Sequence, residues 1–337
     1  MLPCLRLPPY VDHLRTWAEG GRPYAGPVPA PSLRHQLLAE VVPRLRRSAE
    51  VVDAEHERTT VLARKAARRP GLPTVATPGF ARRFAVVTEE VDGASGPFPA
   101  WSITPRGVDP VRTILYCHGG GYVYPVDPFH VRYAARLGAA TRSRVVLPGY
   151  PTAPEHTWRE SRAGLLELAG RLLTGSLPVA LVGDSAGGGL ALALAQTLRD
   201  SARDTGAATP DRLLLHAPWV DLTMSSPDTE RIAADDPWLF PGKAHVWARW
   251  WGGEGEDLAR PELSPLFGDL DGLPPTLAFC GSRDMVSAGC RQLADRATTA
   301  DWDLAYVERP GLIHVFGLLP GLPEARTALR MATEHLR

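Results

Sequence analysis

Along the chain, apolar residues first recur with a helical period. Leu33, Leu37, Leu38, Val41, Val42 and Leu45 mark one helix, and a second helical stretch runs to about Arg69. Pro70 to Pro78 is rich in chain breakers and reads as a linker. Two short runs, Phe84 to Thr88 and Ala100 to Thr104, are spaced to form a hairpin. After Pro110 the pattern becomes strand, loop, helix, repeated. Apolar runs lie at 112–117, 144–147, 179–182, 212–216, 276–280 and 304–307. Helical stretches are expected at about 158–173, 186–200 and 288–299, and at the end of the chain. Continuously apolar strands are buried on both faces. Alternating with helices, they predict an α/β fold with a mostly parallel central sheet and helices on both faces.

Two regions fall outside that alternation. The first thirty residues are rich in Pro and Gly and carry little periodicity, as a loose arm would. Between Asp221 and Pro275 the strand–helix register stops, and the segment carries Trp238, Trp247, Trp250 and Trp251. It is too long for a simple connection and is expected to be an insertion with its own helix at about 242–251.

Composition narrows the partners more than the fold. Lys plus Arg equals Asp plus Glu, 37 each, so no net charge favours nucleic acid or an anionic membrane. The local basic run, Arg64-Lys65 to Arg68-Arg69, reads as the solvated face of a helix. The four cysteines, Cys4, Cys117, Cys280 and Cys290, show neither a metal-ligand nor a redox spacing. Cys117 and Cys280 end apolar runs and read as small core side chains. The start of the chain, interrupted by Pro3, Pro8 and Pro9, does not read as a signal peptide, and no stretch of about 18 apolar residues suggests a membrane span. A cytoplasmic location and no stable membrane anchor are the resulting expectations.

The chemistry is carried by short motifs in a specific setting. Gly183-Asp184-Ser185-Ala186-Gly187 follows a strand and opens a helix, the strand–turn–helix context in which a serine is held exposed on a strained turn. The lysine of a phosphate-binding loop is absent from it. His118-Gly119-Gly120-Gly121-Tyr122 ends an earlier strand, and its glycines free the backbone to present N–H groups to an oxyanion. Gly119, Gly120 and Ala186 are the expected donors. His118 is expected to orient the loop rather than transfer protons. A serine needs a base, and the base needs an anion to hold its tautomer. Of the downstream carboxylates, Asp284 alone closely follows a strong apolar strand. Of the downstream histidines, His314 follows the last strand by a short loop. Ser185, Asp284 and His314 are therefore the expected catalytic residues.

With these motifs in view, the chain resembles the hormone-sensitive-lipase family of α/β-hydrolases, bacterial esterases of the Gly-Asp-Ser-Ala-Gly type. Further motifs carry the resemblance: Ala153-Pro154-Glu155-His156, Pro218-Trp219-Val220-Asp221-Leu222, Leu273-Pro274-Pro275-Thr276 and His314-Val315-Phe316. It implies an α/β-hydrolase fold and hydrolysis of carboxylic esters with no cofactor and no metal. It also implies a helical cap formed by the N-terminal helices and the insertion. The expected division is 1–80 as arm and cap part, 81–222 as core, 223–272 as cap insertion and 273–337 as the rest of the core. Homodimers are common in the family. The chain departs from its pattern in two places. Pro151 stands where an Arg is usual, which leaves Glu155 without that partner, and Met285 stands where a Pro follows the acid.

Ser185 is thus expected to attack a small-molecule ester with His314 as base. Tyr122, Trp219, Trp247 and Trp250 are candidates to line an apolar pocket. Short to medium acyl chains are expected, for want of a lipid-anchoring segment. An amidase or lactonase with the same triad, and a non-catalytic small-molecule receptor on the same fold, are the alternatives.

Overall fold

The computed structural model describes residues 30–46, 49–51 and 53–337, with the backbone of a two-residue ladder, β1 (Trp17–Ala18) on β2 (Arg22–Pro23). Most of the expected N-terminal arm, and Cys4, lie outside the described residues.

One eight-stranded sheet organises the rest. Its strands are β3 (Phe84–Val91), β4 (Phe98–Pro105), β5 (Arg112–Cys117), β6 (Ser143–Pro148), β7 (Val179–Asp184), β8 (Arg212–His216), β9 (Thr276–Gly281) and β10 (Leu304–Arg309). They lie in the order β10-β9-β8-β7-β5-β6-β4-β3. The expected hairpin is present: β3 and β4 pair antiparallel, Phe84 opposite Pro105. β4 also runs against β6, and the remaining pairings are parallel. Every residue of β5, β7 and β9 is buried, which is why these strands read as unbroken apolar runs.

The period of two divides the core. Leu115, Cys117, Leu181, Leu213, Leu215 and Cys280 face one layer. There α5 (Trp158–Leu173), α6 (Ala186–Thr205) and α9 (Ser287–Ala297) cover them. Ile114, Tyr116, Val182, Leu214 and Phe279 face the other layer, under α4 (Pro128–Thr141) and α10 (Pro323–His335). Cys117, Cys280 and Cys290 are buried free thiols.

The N-terminal helices α1 (Leu33–Arg46) and α2 (Ala54–Ala66) precede a one-turn helix, α3 (Phe80–Arg83). The segment between β8 and β9 holds α7 (Thr229–Ala233) and α8 (Pro241–Gly252). These two regions touch. Glu50 accepts hydrogen bonds from the Gly242 and Lys243 amides, and Trp247 Nε1 donates to Glu57 at 3.1 Å. The second helix ends at Ala66, short of Arg69, where the chain turns into its proline-rich linker.

The basic run at and just beyond the end of α2 is docked rather than solvated, apart from the exposed Arg69. Lys65 Nζ donates to Thr152 Oγ1 at 2.9 Å and to the Ala153 carbonyl at 3.1 Å, and pairs with Glu155. Arg68 donates to the carbonyls of Pro125 and Val126, and Arg64 to the Tyr124 hydroxyl. Long cationic side chains pack their stems and still bring their heads to acceptors. Here the acceptors are the loops beyond β5 and β6. Lys65 thereby supplies Glu155 with the cation that Pro151 cannot.

Candidate active site

The carboxyl ends of the parallel strands bring the candidate residues together. β7 runs into Ser185, whose φ of 53° and ψ of −124° are a strained conformation for a side chain, costing about 1–3 kcal/mol. Its surroundings hold it there. Ser185 N donates to the His216 carbonyl at 2.8 Å, and the Ser185 carbonyl accepts from Trp219 N at 2.9 Å. The turn leaves no room beside it. A Cβ on Gly183 would strike the Gly187 backbone, and one on Gly187 would strike the carbonyls of Cys117 and His118.

Ser185 Oγ lies 2.8 Å from His314 Nε2, and His314 Nδ1 lies 2.8 Å from Asp284 Oδ2. Asp284 follows β9, His314 follows β10, and both are buried. With the carboxylate accepting, Nδ1 carries the proton and Nε2 is the acceptor for the serine hydroxyl. Burial pulls the His314 pKa down, but the charge and hydrogen bond of Asp284, with the charges of Asp236 and Asp184, carry it above its ordinary value. Of the other downstream histidines, His245 is exposed on α8, and His216 and His335 are engaged elsewhere. His216 Nε2 pairs with the Tyr133 hydroxyl in the core, where burial pushes its pKa down to about 4, and His335 bonds the Leu213 carbonyl.

The glycine loop after β5 lies beside the nucleophile. Ala186 N is the first amide of α6 and has no acceptor within the helix. Gly120 and Gly121, at φ of 112° and 64°, take a turn that suits glycine, and no partner for either amide is found among the described residues. Gly119 departs from expectation. Its N–H donates to Asp184 Oδ1 at 3.0 Å, so that donor is already committed to a buried carboxylate. Asp184 also accepts from the Tyr116 hydroxyl at 2.6 Å and lies 3.5 Å from His130 Nε2. Burial raises the Asp184 pKa, but His130, Tyr116 and the Gly119 amide bring it below its ordinary value. His118 is stacked on Tyr150, with Nδ1 2.7 Å from the Gly119 carbonyl, and burial pushes its pKa down to about 3. It is a neutral residue of the loop.

The four aromatic candidates divide. Trp247 packs directly on Gly121. Tyr122 is buried, stacked on Trp251 at 4.5 Å and tilted against Trp219 at 5.8 Å. Trp219 lines a small cleft with Val220, Met224, Met285 and Val286. Trp250 is half-buried against the core, and its neighbour Trp251 meets Tyr122 instead. Asp236, one of many downstream carboxylates in the sequence, is buried with its oxygens on the amides of Trp238, Leu239 and Met285. Its only sequence signal is an Asp two residues before Trp238, the start of a side-chain-capped turn.

Comparison with known proteins places this architecture. The profile of the alpha/beta hydrolase fold family matches residues 114–318. An acetyl-hydrolase of Streptomyces hygroscopicus is 33% identical over 230 residues, covering 67% of this chain and 75% of its own length. An esterase of Acinetobacter venetianus is 29% identical over 222 residues, covering 65% and 72%. Among solved structures, an esterase of the bacterial hormone-sensitive lipase family superposes with a TM-score of 0.70 at 26% identity, over 92% of this chain and 99% of that one. The chain belongs to the α/β-hydrolase family, within its hormone-sensitive-lipase group.

Proposed function

We propose that Ser185 is the nucleophile of an ester hydrolase, with His314 as general base and Asp284 as the anion that orients it. The chain is a carboxylesterase-type hydrolase. The observation that carries the residue roles is the unbroken series Ser185 Oγ, His314 Nε2, His314 Nδ1, Asp284 Oδ2, with both contacts at 2.8 Å. His314 takes the Ser185 proton as Oγ attacks the ester carbonyl, and returns it to the departing alkoxide. Water then attacks the acyl carbonyl while giving a proton to His314, and as the acyl–Oγ bond breaks His314 returns that proton to Ser185 Oγ and the acid leaves. The amides of Gly120, Gly121 and Ala186 receive the oxyanion, while Gly119 holds the loop on Asp184.

Residues 1–80 are assigned as N-terminal arm and cap part, and 223–272 as cap insertion, on the core formed by 81–222 and 273–337. Trp247, Tyr122 and Trp219 then define the substrate side, and the cleft beside Trp219 and Met285 takes the acyl group. The relative from Streptomyces hygroscopicus is named an acetyl-hydrolase, which favours short acyl chains for this chain as well. Hydrolysis of p-nitrophenyl esters tests the assignment. Ser185→Ala is expected to lower kcat by roughly 10⁴-fold or more. Acetate and butyrate should be turned over faster than laurate or palmitate. A variant retaining wild-type turnover would refute the nucleophile, and preference for palmitate would refute the pocket.

A further inference from the structure

Two buried carboxylates flank Met285. Asp284, before it, holds His314 Nδ1. Asp236, on the segment between β8 and β9, reaches Met285 from 49 residues away: Oδ2 accepts the Met285 amide at 2.8 Å. Its other oxygen accepts from the amides of Trp238 at 2.8 Å and Leu239 at 3.1 Å. That turn sets the Trp238 ring edge-on to His314, 5.5 Å between centroids and 85° between planes. Asp236 is 6% exposed and, among the described residues, is paired with no cation. The donor it captures exists because residue 285 is Met rather than Pro.

We propose that Asp236 is a positioning residue of the triad, which fastens the Asp284 loop through the Met285 amide, sets Trp238 against His314, and places a second negative charge toward the imidazole. The proposal rests on the reading of His314 as general base. When His314 accepts the Ser185 proton it becomes a cation under the charges of Asp284, Asp236 and Asp184, and buried charges so placed act with little solvent screening. The other charged groups around this centre are accounted for. From the loop after β9, Arg283 donates to the Asp235 carbonyl. From α1, Arg46 pairs with Asp127 and lies over Trp238, and His35 accepts from the Ile313 amide and faces Glu324 of α10. Asp184 faces from the nucleophile turn. Burial and the neighbouring Asp284 push the Asp236 carboxyl up to about 6, so it is ionised at and above neutral pH, where His314 works as a base.

The test is the pH dependence of p-nitrophenyl butyrate hydrolysis by wild type and Asp236→Asn, which keeps an acceptor and removes the charge. Asp236→Ser is the second variant, should the first not fold. Loss of the charge lowers the His314 pKa. The acid limb of kcat/KM is therefore expected to move to lower pH by about half a unit or more, with kcat down about tenfold and KM within about twofold. An unchanged acid limb in a folded variant, whether or not its melting temperature falls, would overturn the proposal. A fluorophosphonate probe separates this from failure of the underlying reading. Wild type that takes no label on Ser185 puts the nucleophile at fault, whereas labelled wild type with unshifted limbs puts Asp236 at fault.

Discussion

Asp184 stands one residue before the nucleophile and acts through what it touches: Tyr116, the Gly119 amide and His130. The Asp127 amide in turn donates to His130 Nδ1, and the Asp127 carboxylate pairs with Arg46 of α1. Burial lowers the His130 pKa, but Asp127 and Asp184 carry it above its ordinary 6.5, while Asp184 sits below its ordinary 3.8. The stabilisation from a raised histidine is complete below 6.5 and is lost as pH rises through its folded value. That from a depressed aspartate is complete above 3.8 and is lost as pH falls through its folded value. Asp184→Asn should therefore destabilise most between about pH 4 and 6.5, by roughly 3 kcal/mol, and less toward pH 9. Urea unfolding of both proteins at pH 5.5 and pH 9 measures this. A deficit equal at both pH values would exclude the pair as its source. The same site shows where sequence reading stops: the glycine loop is legible, but which of its amides is spent on Asp184 is a matter of placement.

Among the elements, the central strands β5, β7 and β9 were legible because they are buried on both faces and read as nearly continuous apolar runs. α4 was not, because its buried face is made of His130, Tyr133, Ala134, Gly138 and Thr141, among others, a face too mixed to give an apolar stripe. α1 was legible as a helix but not in its orientation. Leu33, Leu37, Val41 and Leu45 are exposed, whereas Val42 is buried and His35 and Ala39 are buried against the His314 loop and α10. Its apolar spacing set the period and left the inward face open. α2 makes the converse point, since its charged run is what fastens it to the loops beyond β5 and β6. Lys65→Met keeps the stem and removes the head. It is expected to cost about 2 kcal/mol of stability, the scale of charged hydrogen bonds. In a double-mutant cycle with Glu155→Gln, the two losses should fall short of additivity by about 1 kcal/mol or more. Full additivity would mean that Lys65 acts only through the Thr152 and Ala153 carbonyls.

At the scale of the whole molecule, the parallel sheet turns four distant pieces of sequence into one site. The ends of β5, β7, β9 and β10 supply the glycine loop, Ser185, Asp284 and His314, all at the same edge. That convergence is what chain order and strand placement predict for ligand sites outside the carboxyl ends of a parallel sheet. The contributions of Asp236 and Lys65, from outside the core, depend on packing that no periodicity reveals, and they are the part the sequence leaves open, whereas Trp247 is already a pocket candidate in the sequence. None of the helices among the described residues is long and apolar enough to cross a membrane.

The central claim is that Ser185 is activated by His314, and covalent labelling tests it most directly. Wild type, Ser185→Ala and His314→Ala are incubated with a fluorophosphonate probe, and the modified peptide is located by mass spectrometry. The account predicts a single label on Ser185 in wild type, none in Ser185→Ala, and labelling slowed by roughly 10³-fold or more in His314→Ala. Label on another residue, or an undiminished rate without His314, would contradict it.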